Sequence, residues 1–149
     1  MDKMKEITDR IIYATLSTVD GNGQPWNTPV WSLHDENYTY YWCSWTESQH
    51  SKNVRENGKV FIVIYDSSAW KGTGEGVYIK ANASEVNDPE EIQLILGMRS
   101  KVKRSDRKIE EFQGDYPRRW YKAVPENIWL NDDGEVNGNF VDIRKEVTL

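Results

Sequence analysis

The chain has one cysteine, Cys43, so no intrachain disulfide can form. Without covalent staples it must hold together by burial, and 149 residues are enough for that. A domain of this size buries roughly 70% of its unfolded-chain surface. The lack of disulfides also fits a reducing, cytoplasmic compartment. No apolar run approaches the ~20 residues needed to span a bilayer, and "MDKMKEITDRII" has no signal core, so no membrane role is expected. Basic residues are in the minority, with 19 Lys and Arg against 24 Asp and Glu, a net charge of -5 and a pI near 5.1. A general nucleic-acid binder would show the opposite balance. Metal and nucleophile motifs are missing as well: the sequence holds two histidines, and no HExxH, paired cysteines or GxSxG. "GTGEG" (72–76) lacks the Lys-Ser/Thr of a phosphate loop and reads as a flexible connection. No repeat, low-complexity tract or linker divides the chain, so residues 1–149 read as one domain.

Aromatic residues, by contrast, are plentiful: seven Trp and eight Tyr. Flat amphipathic rings suit a core, a pocket for a planar ligand, or a subunit interface. The spacing predicts a short helix at 3–11, then "YATLSTVD" as a strand ending in the hairpin turn "DGNG". "QPWNTPVWSL" returns as a strand. Pro25 and Pro29 cannot donate to a ladder, so part of it should be irregular or at an edge. A turn at "HDEN" leads to a third strand at 38–45. "VYIKANASEV" alternates with one buried face. Asp88-Pro89-Glu90-Glu91 starts a helix with Ile92, Ile95, Leu96 and Val102 on one face. The basic run Arg99–Lys108 reads as a solvated helix face. "KIEEFQGDYP" suggests one more short helix. "ENIWLN" and "NFVDIRKEV" close the chain as strands on either side of "DDGEVNG". The expected fold is mainly β with flanking helices: six or seven antiparallel strands, three or four helices, arranged as a barrel or sandwich.

"SQHSKNVRENGKVFIVIYD" (48–66) is the most informative stretch. Thr46 and Gln49 have capping-box spacing and Asn57-Gly58 is a stop signal, which predicts a helix at 47–57. This polar helix runs into a continuous apolar strand, 60–66, expected to be central and buried on both sides. The first amides of a helix lack intrahelical acceptors and carry about half a positive charge, so they suit an anion. Ser44, Ser48, Gln49, His50 and Lys52 surround that point. Hydroxyls, an amide, an imidazole and an ammonium suit a phosphate, with its three acceptor oxygens. The same composition also describes a solvated surface helix.

These stretches in this order, "ATLSTVDGNGQPWNTPVW", "YYWCSWTESQHSKNVRENGKVFIVIYD" and "GVYIKANASEV", resemble the pyridoxamine 5′-phosphate oxidase-like family of FMN-binding split β-barrels. The resemblance covers 13–86, and "NIWLN…GNFVDIR" looks like the family's closing strands. It implies a six- to seven-stranded antiparallel split β-barrel and a homodimer with FMN between protomers. It also implies that Ser44 and Cys43 approach the phosphoryl-ribityl chain and that Ser48, Gln49 and His50 contact the phosphate. Lys52 or Asn53 would assist. The backbone of Thr28, Pro29, Val30 and Trp31 would line the flavin ring, and Trp129 would join from the closing strand of the same or the other protomer. The activity implied is an FMN-dependent oxidoreductase acting on a small molecule. The alternatives are a non-catalytic flavin storage or sensing module, and a relative without FMN. Relatives of similar length use FMN, a deazaflavin or haem. The oxidases proper carry Arg and Lys where this chain reads "TPVWSL", and a basic pair at Gln49-His50. They end in an Arg-x-His that this chain lacks, which argues against pyridoxamine phosphate itself as substrate.

Overall fold

The computed structural model describes residues 2–102 and 106–148. In chain order these form α1 (Asp2–Arg10), β1 (Tyr13–Val19), β2 (Pro25–His34), β3 (Tyr40–Trp45), α2 (Gln49–Glu56), β4 (Lys59–Tyr65) and β5 (Gly76–Val86). Then follow α3 (Pro89–Val102), a 3-10 turn (Ile109–Phe112), β6 (Arg118–Val136) and β7 (Asn139–Val147). All strand pairings are antiparallel, in the order β3-β2-β1-β4-β5-β6-β7, and β3 also pairs with β6. That last pairing closes β1 to β6 into a barrel and leaves β7 as a ribbon on the far half of β6.

Local chemistry explains the turns. Asp20 accepts amides from Asn22 and Gln24 while Gly23 takes a positive φ of 82°, so the β1–β2 hairpin forms where "DGNG" predicts it. Asp88 accepts the Glu90 amide with Pro89 opening α3, also as expected. One tight turn and one strand start differ from the sequence expectation. "DDGEVNG" is not a loop: β6 continues to Val136, and Asn137-Gly138 alone, with φ of 52° and 76°, reverses the chain. Likewise β6 begins at Arg118, not Glu126. Pro125 interrupts the apolar alternation there, and the sheet absorbs it at a register shift opposite Lys80 and Ala81.

The barrel interior holds Leu16, Ile62, Ile64, Val77 and Ile79, with Trp42 stacked on Tyr121 at 5.7 Å between ring centres. α1 adds Met4 and Ile7 to this core, and α2 adds Val54. A second cluster lies outside the barrel, where Ile92, Ile95 and Leu96 of α3 and Phe112 cover Leu33, Tyr41, Val86 and Trp120. The Val102 side chain, expected on that face, and residues 103–105 of the basic run lie outside the described residues. The expectation for β4 needs correction: only Val60, Ile62 and Ile64 point inward, while Phe61 and Tyr65 are exposed at 37% and 48%. A closed barrel has one interior, so a continuous apolar run buries only alternate residues.

α2 starts later than the capping box suggests. Ser48 is the N-cap and its side chain does not cap. Gly58 does not end α2 by a left-handed turn; instead a Cβ there would lie 2.6 Å from the Ala83 carbonyl oxygen. Glycine is required because two backbones meet.

Candidate functional site

The site follows from where β2 and β3 part. β2 pairs with β1 along Pro25–Trp31, but with β3 only at Ser32–His34. All of β3 pairs with β6 on its other side, so Cys43–Trp45 keep that partner and leave the edge toward β2 unpaired. Thus the prolines sit where one ladder edge is open, as Pro cannot donate. Between the diverging strands opens a cavity of about 840 Å³. Pockets that hold small ligands span ~300–1,000 Å³. β2 contributes Pro29, Val30 and Trp31, β3 contributes Cys43, Ser44 and Trp45, and α2 contributes His50. The far wall comes from α3 and the segment after it, with Arg99, Arg107, Phe112, Tyr116 and Arg118 among its residues.

At the α2 start a hydroxyl–imidazole network forms. His50 Nε2 lies 2.7 Å from Ser44 Oγ and 3.2 Å from Ser48 Oγ, and Ser48 Oγ donates to Ser51 Oγ at 2.8 Å. Burial lowers the His50 pKa from its ordinary 6.5, so the ring is neutral at neutral pH. A neutral imidazole both donates and accepts, which matches two hydroxyl neighbours. The Ser48 side chain makes no capping bond to the first amides of α2, the groups that in a helix lack intrahelical acceptors. The Ser44–His50 pair has the distance of a nucleophile and its base. Among the described residues, however, no carboxylate is recorded orienting the ring, so the triad logic is incomplete. Burial pushes the Cys43 thiol up to about 11 despite Arg118, Arg99 and Arg107 nearby, so Cys43 is a protonated wall residue rather than a nucleophile. No group of three or more metal-ligating side chains occurs among the described residues.

Of the residues singled out from sequence, Pro29, Val30, Trp31, Cys43, Ser44 and His50 meet at the cavity. Ser48 joins through hydrogen bonds to His50 and Ser51. Gln49, Lys52, Asn53, Thr28 and Trp129 do not line it. Asn53 is 1% exposed, and its amide donates to Thr18 Oγ1 while its oxygen accepts from Gln49. Both side chains are thereby committed to fastening α2. Lys52 faces Glu47 at 3.5 Å. Trp129 stacks on Phe61 at 6.3 Å on the outer face of the sheet. The sequence reading missed the far wall. Its arginines are scattered over α3, the following segment and β6, with no short motif, and their run looked like a solvated helix face.

The family model described as pyridoxamine 5′-phosphate oxidase matches residues 1–132, and the chain belongs to that family. Similar solved structures include the heme-storage protein HutZ from Vibrio cholerae, with a TM-score of 0.71 at 19% identity over 84% of this chain and 89% of that one. A candidate pyridoxamine 5′-phosphate oxidase from Listeria innocua has a TM-score of 0.66 at 22% identity, covering 93% and 98%. A candidate 5-nitroimidazole resistance protein from Bacteroides thetaiotaomicron has a TM-score of 0.68 at 15% identity, covering 87% and 81%. At these identities the structures establish the split-barrel fold alone. Comparison with curated proteins finds no match.

Proposed function

We propose that the cavity binds FMN and that the protein is an FMN-dependent oxidoreductase acting on a small molecule. One observation carries this reading: the uncapped start of α2, with Ser44, Ser48 and His50, opens into a cavity walled by aromatic rings. The first amides of α2 and the hydroxyls suit the phosphate, and Trp31 with the backbone of Pro29 and Val30 suits the edge or face of the ring system. Bound FMN would supply hydride and electron transfer, and the chain would bind, orient and tune it. Haem fits less well. His50 is the only histidine lining the cavity, and its Nε2 is already engaged by two serine hydroxyls.

The protein is proposed to work as a homodimer. Tyr13, Trp26, Phe61 and Tyr65 are exposed large rings, and the Phe61–Trp129 stack lies on the outer face of the sheet, so that face is the proposed contact. Trp129 then belongs to the proposed contact rather than to the lining of its own protomer's cavity. No described helix is long and apolar enough to cross a membrane, and the free Cys43 fits a cytoplasmic setting. A flavin storage or sensing module is the second reading. It draws on the state of the two groups nearest the α2 start, since His50 is tied to serines and Cys43 is protonated.

The test is a visible absorption spectrum of purified protein after incubation with FMN and desalting. Retained flavin bands, one per protomer, support the assignment, and a colourless protein refutes it. Retained FMN that neither reduced nicotinamides nor quinones can turn over would favour the storage module.

A further inference from the structure

The far wall of the cavity is an island of positive charge in an acidic protein. Arg99, Arg107 and Arg118 face a single lining carboxylate, Glu111, whereas the chain as a whole carries -5. Arg107 is paired with that carboxylate at 2.7 Å. Arg99 and Arg118 have no carboxylate partner among the described residues. The Arg99 guanidinium stands over the Trp31 ring, 5.7 Å from its centre, and its Nε is shielded from solvent without an acceptor. Contact with the indole restrains the guanidinium at the cavity wall, and the guanidinium fork suits a planar, two-oxygen anion. Neither arginine belongs to β3 or α2, which form the hydroxyl–amide end of the cavity.

Resting on the FMN reading for the rest of the cavity, we infer that Arg99 and Arg118 form a subsite for the anionic group of the second ligand. The substrate class is a small, flat, conjugated acid, whose ring packs against the aromatic wall while a carboxylate or similar group meets the arginine forks. Lys52 lies outside the cavity lining and Arg107 is paired with Glu111, so Arg99 and Arg118 are the positive charge the cavity offers to such a group.

The test uses an isosteric pair, naphthalene-2-carboxylate and naphthalene-2-carboxamide, titrated calorimetrically into FMN-incubated and FMN-free protein. The acid is expected to bind at least tenfold more tightly than the amide, with a preference that weakens as salt rises. Arg99→Gln and Arg118→Gln should each lower acid affinity about tenfold and leave amide affinity unchanged. Arg99→Lys should recover only part, since it keeps the charge and loses the fork. Arg118 is exposed, so Arg118→Gln provides the test even if Arg99→Gln fails to fold. Equal affinities for acid and amide, no detectable acid binding, or equal losses of both in the variants would overturn the subsite. So would loss of FMN retention in Arg118→Gln, which would reassign the arginines to the cofactor phosphate. If wild-type protein retains no FMN yet still prefers the acid through these arginines, the FMN reading fails and the subsite stands. FMN retained without an acid preference gives the reverse.

Discussion

Replacing Asn53 by Ala separates a structural role from a ligand role at one residue. Asn53 is 1% exposed in the middle of α2. Its Nδ2 donates to Thr18 Oγ1 at 2.9 Å and its Oδ1 accepts from Gln49 at 2.8 Å. Truncation removes both bonds. Gln49 is exposed and can turn to water, so its loss is small. Thr18 is 1% exposed, and its hydroxyl keeps only a long 3.4 Å bond to the Trp26 carbonyl. Leaving such a hydroxyl under-satisfied costs about 1–3 kcal/mol, to which the unfilled side-chain volume adds. A total of about 2–3 kcal/mol corresponds to a fall in Tm of roughly 4–12 °C for a domain of this length. Urea unfolding and thermal melting followed by circular dichroism measure both quantities. FMN retention, assayed well below the new Tm, should match wild type. A stability loss under ~0.5 kcal/mol would refute the reasoning, because surface substitutions lie in that range. Unchanged stability with lost FMN would place the amide in the cofactor site.

Gly58→Ala puts a Cβ 2.6 Å from the Ala83 carbonyl oxygen, at a point where Ala83 N–H also donates to Gly58. It should cost about 2 kcal/mol, or roughly 4–8 °C, in a melting experiment. His50 has a folded-state pKa below the ordinary value because of burial, so the unfolded chain takes up the proton first. Stability should therefore decline as pH falls through about 6.5, and His50→Gln should flatten that decline in urea midpoints measured from pH 7.5 to 5.5. Phe61→Glu places a charge beside Trp129 on the exposed face of β4. Sedimentation equilibrium should show a shift from dimer to monomer, and a monomeric wild type would remove the proposed contact.

Strand alternation, turn chemistry and the α3 cap were legible in the sequence because each depends on neighbours only a few residues apart. Asp20 and Gly23, or Asp88 and Glu90, act within a single turn. The β4 exposure and the early start of β6 were not legible. Phe61 and Tyr65 look like core residues until the barrel curvature assigns one side to solvent, and Pro125 hides the continuity of a strand that the sheet restores with a register shift. The site divides in the same way. Ser44, Ser48 and His50 lie within seven positions and read as a cluster. Arg99 and Trp31, by contrast, meet only because α3 folds back over β2. Asn53 enters the sequence reading through the family resemblance, and only the fold shows that its side chain turns to Thr18 on β1.

The β3–β6 pairing has a consequence for how the chain assembles. Trp45 and Arg118 are register partners, so the seam that shuts the barrel joins residues more than seventy positions apart. Contacts so distant are entropically late, because a long loop must close before any bond rewards it. As the chain leaves the ribosome, β1 to β5 can pair by local hairpins and a short crossover. Until β6 arrives, β3 and β5 then stand as two bare edges, each able to recruit a stranger. β6 satisfies both in one event, and the same event completes the wall on which Trp120 and Arg118 stand. The cavity therefore comes into being only when the last third of the chain has been made, and a nascent chain stalled near Pro117 is the species most prone to aggregate.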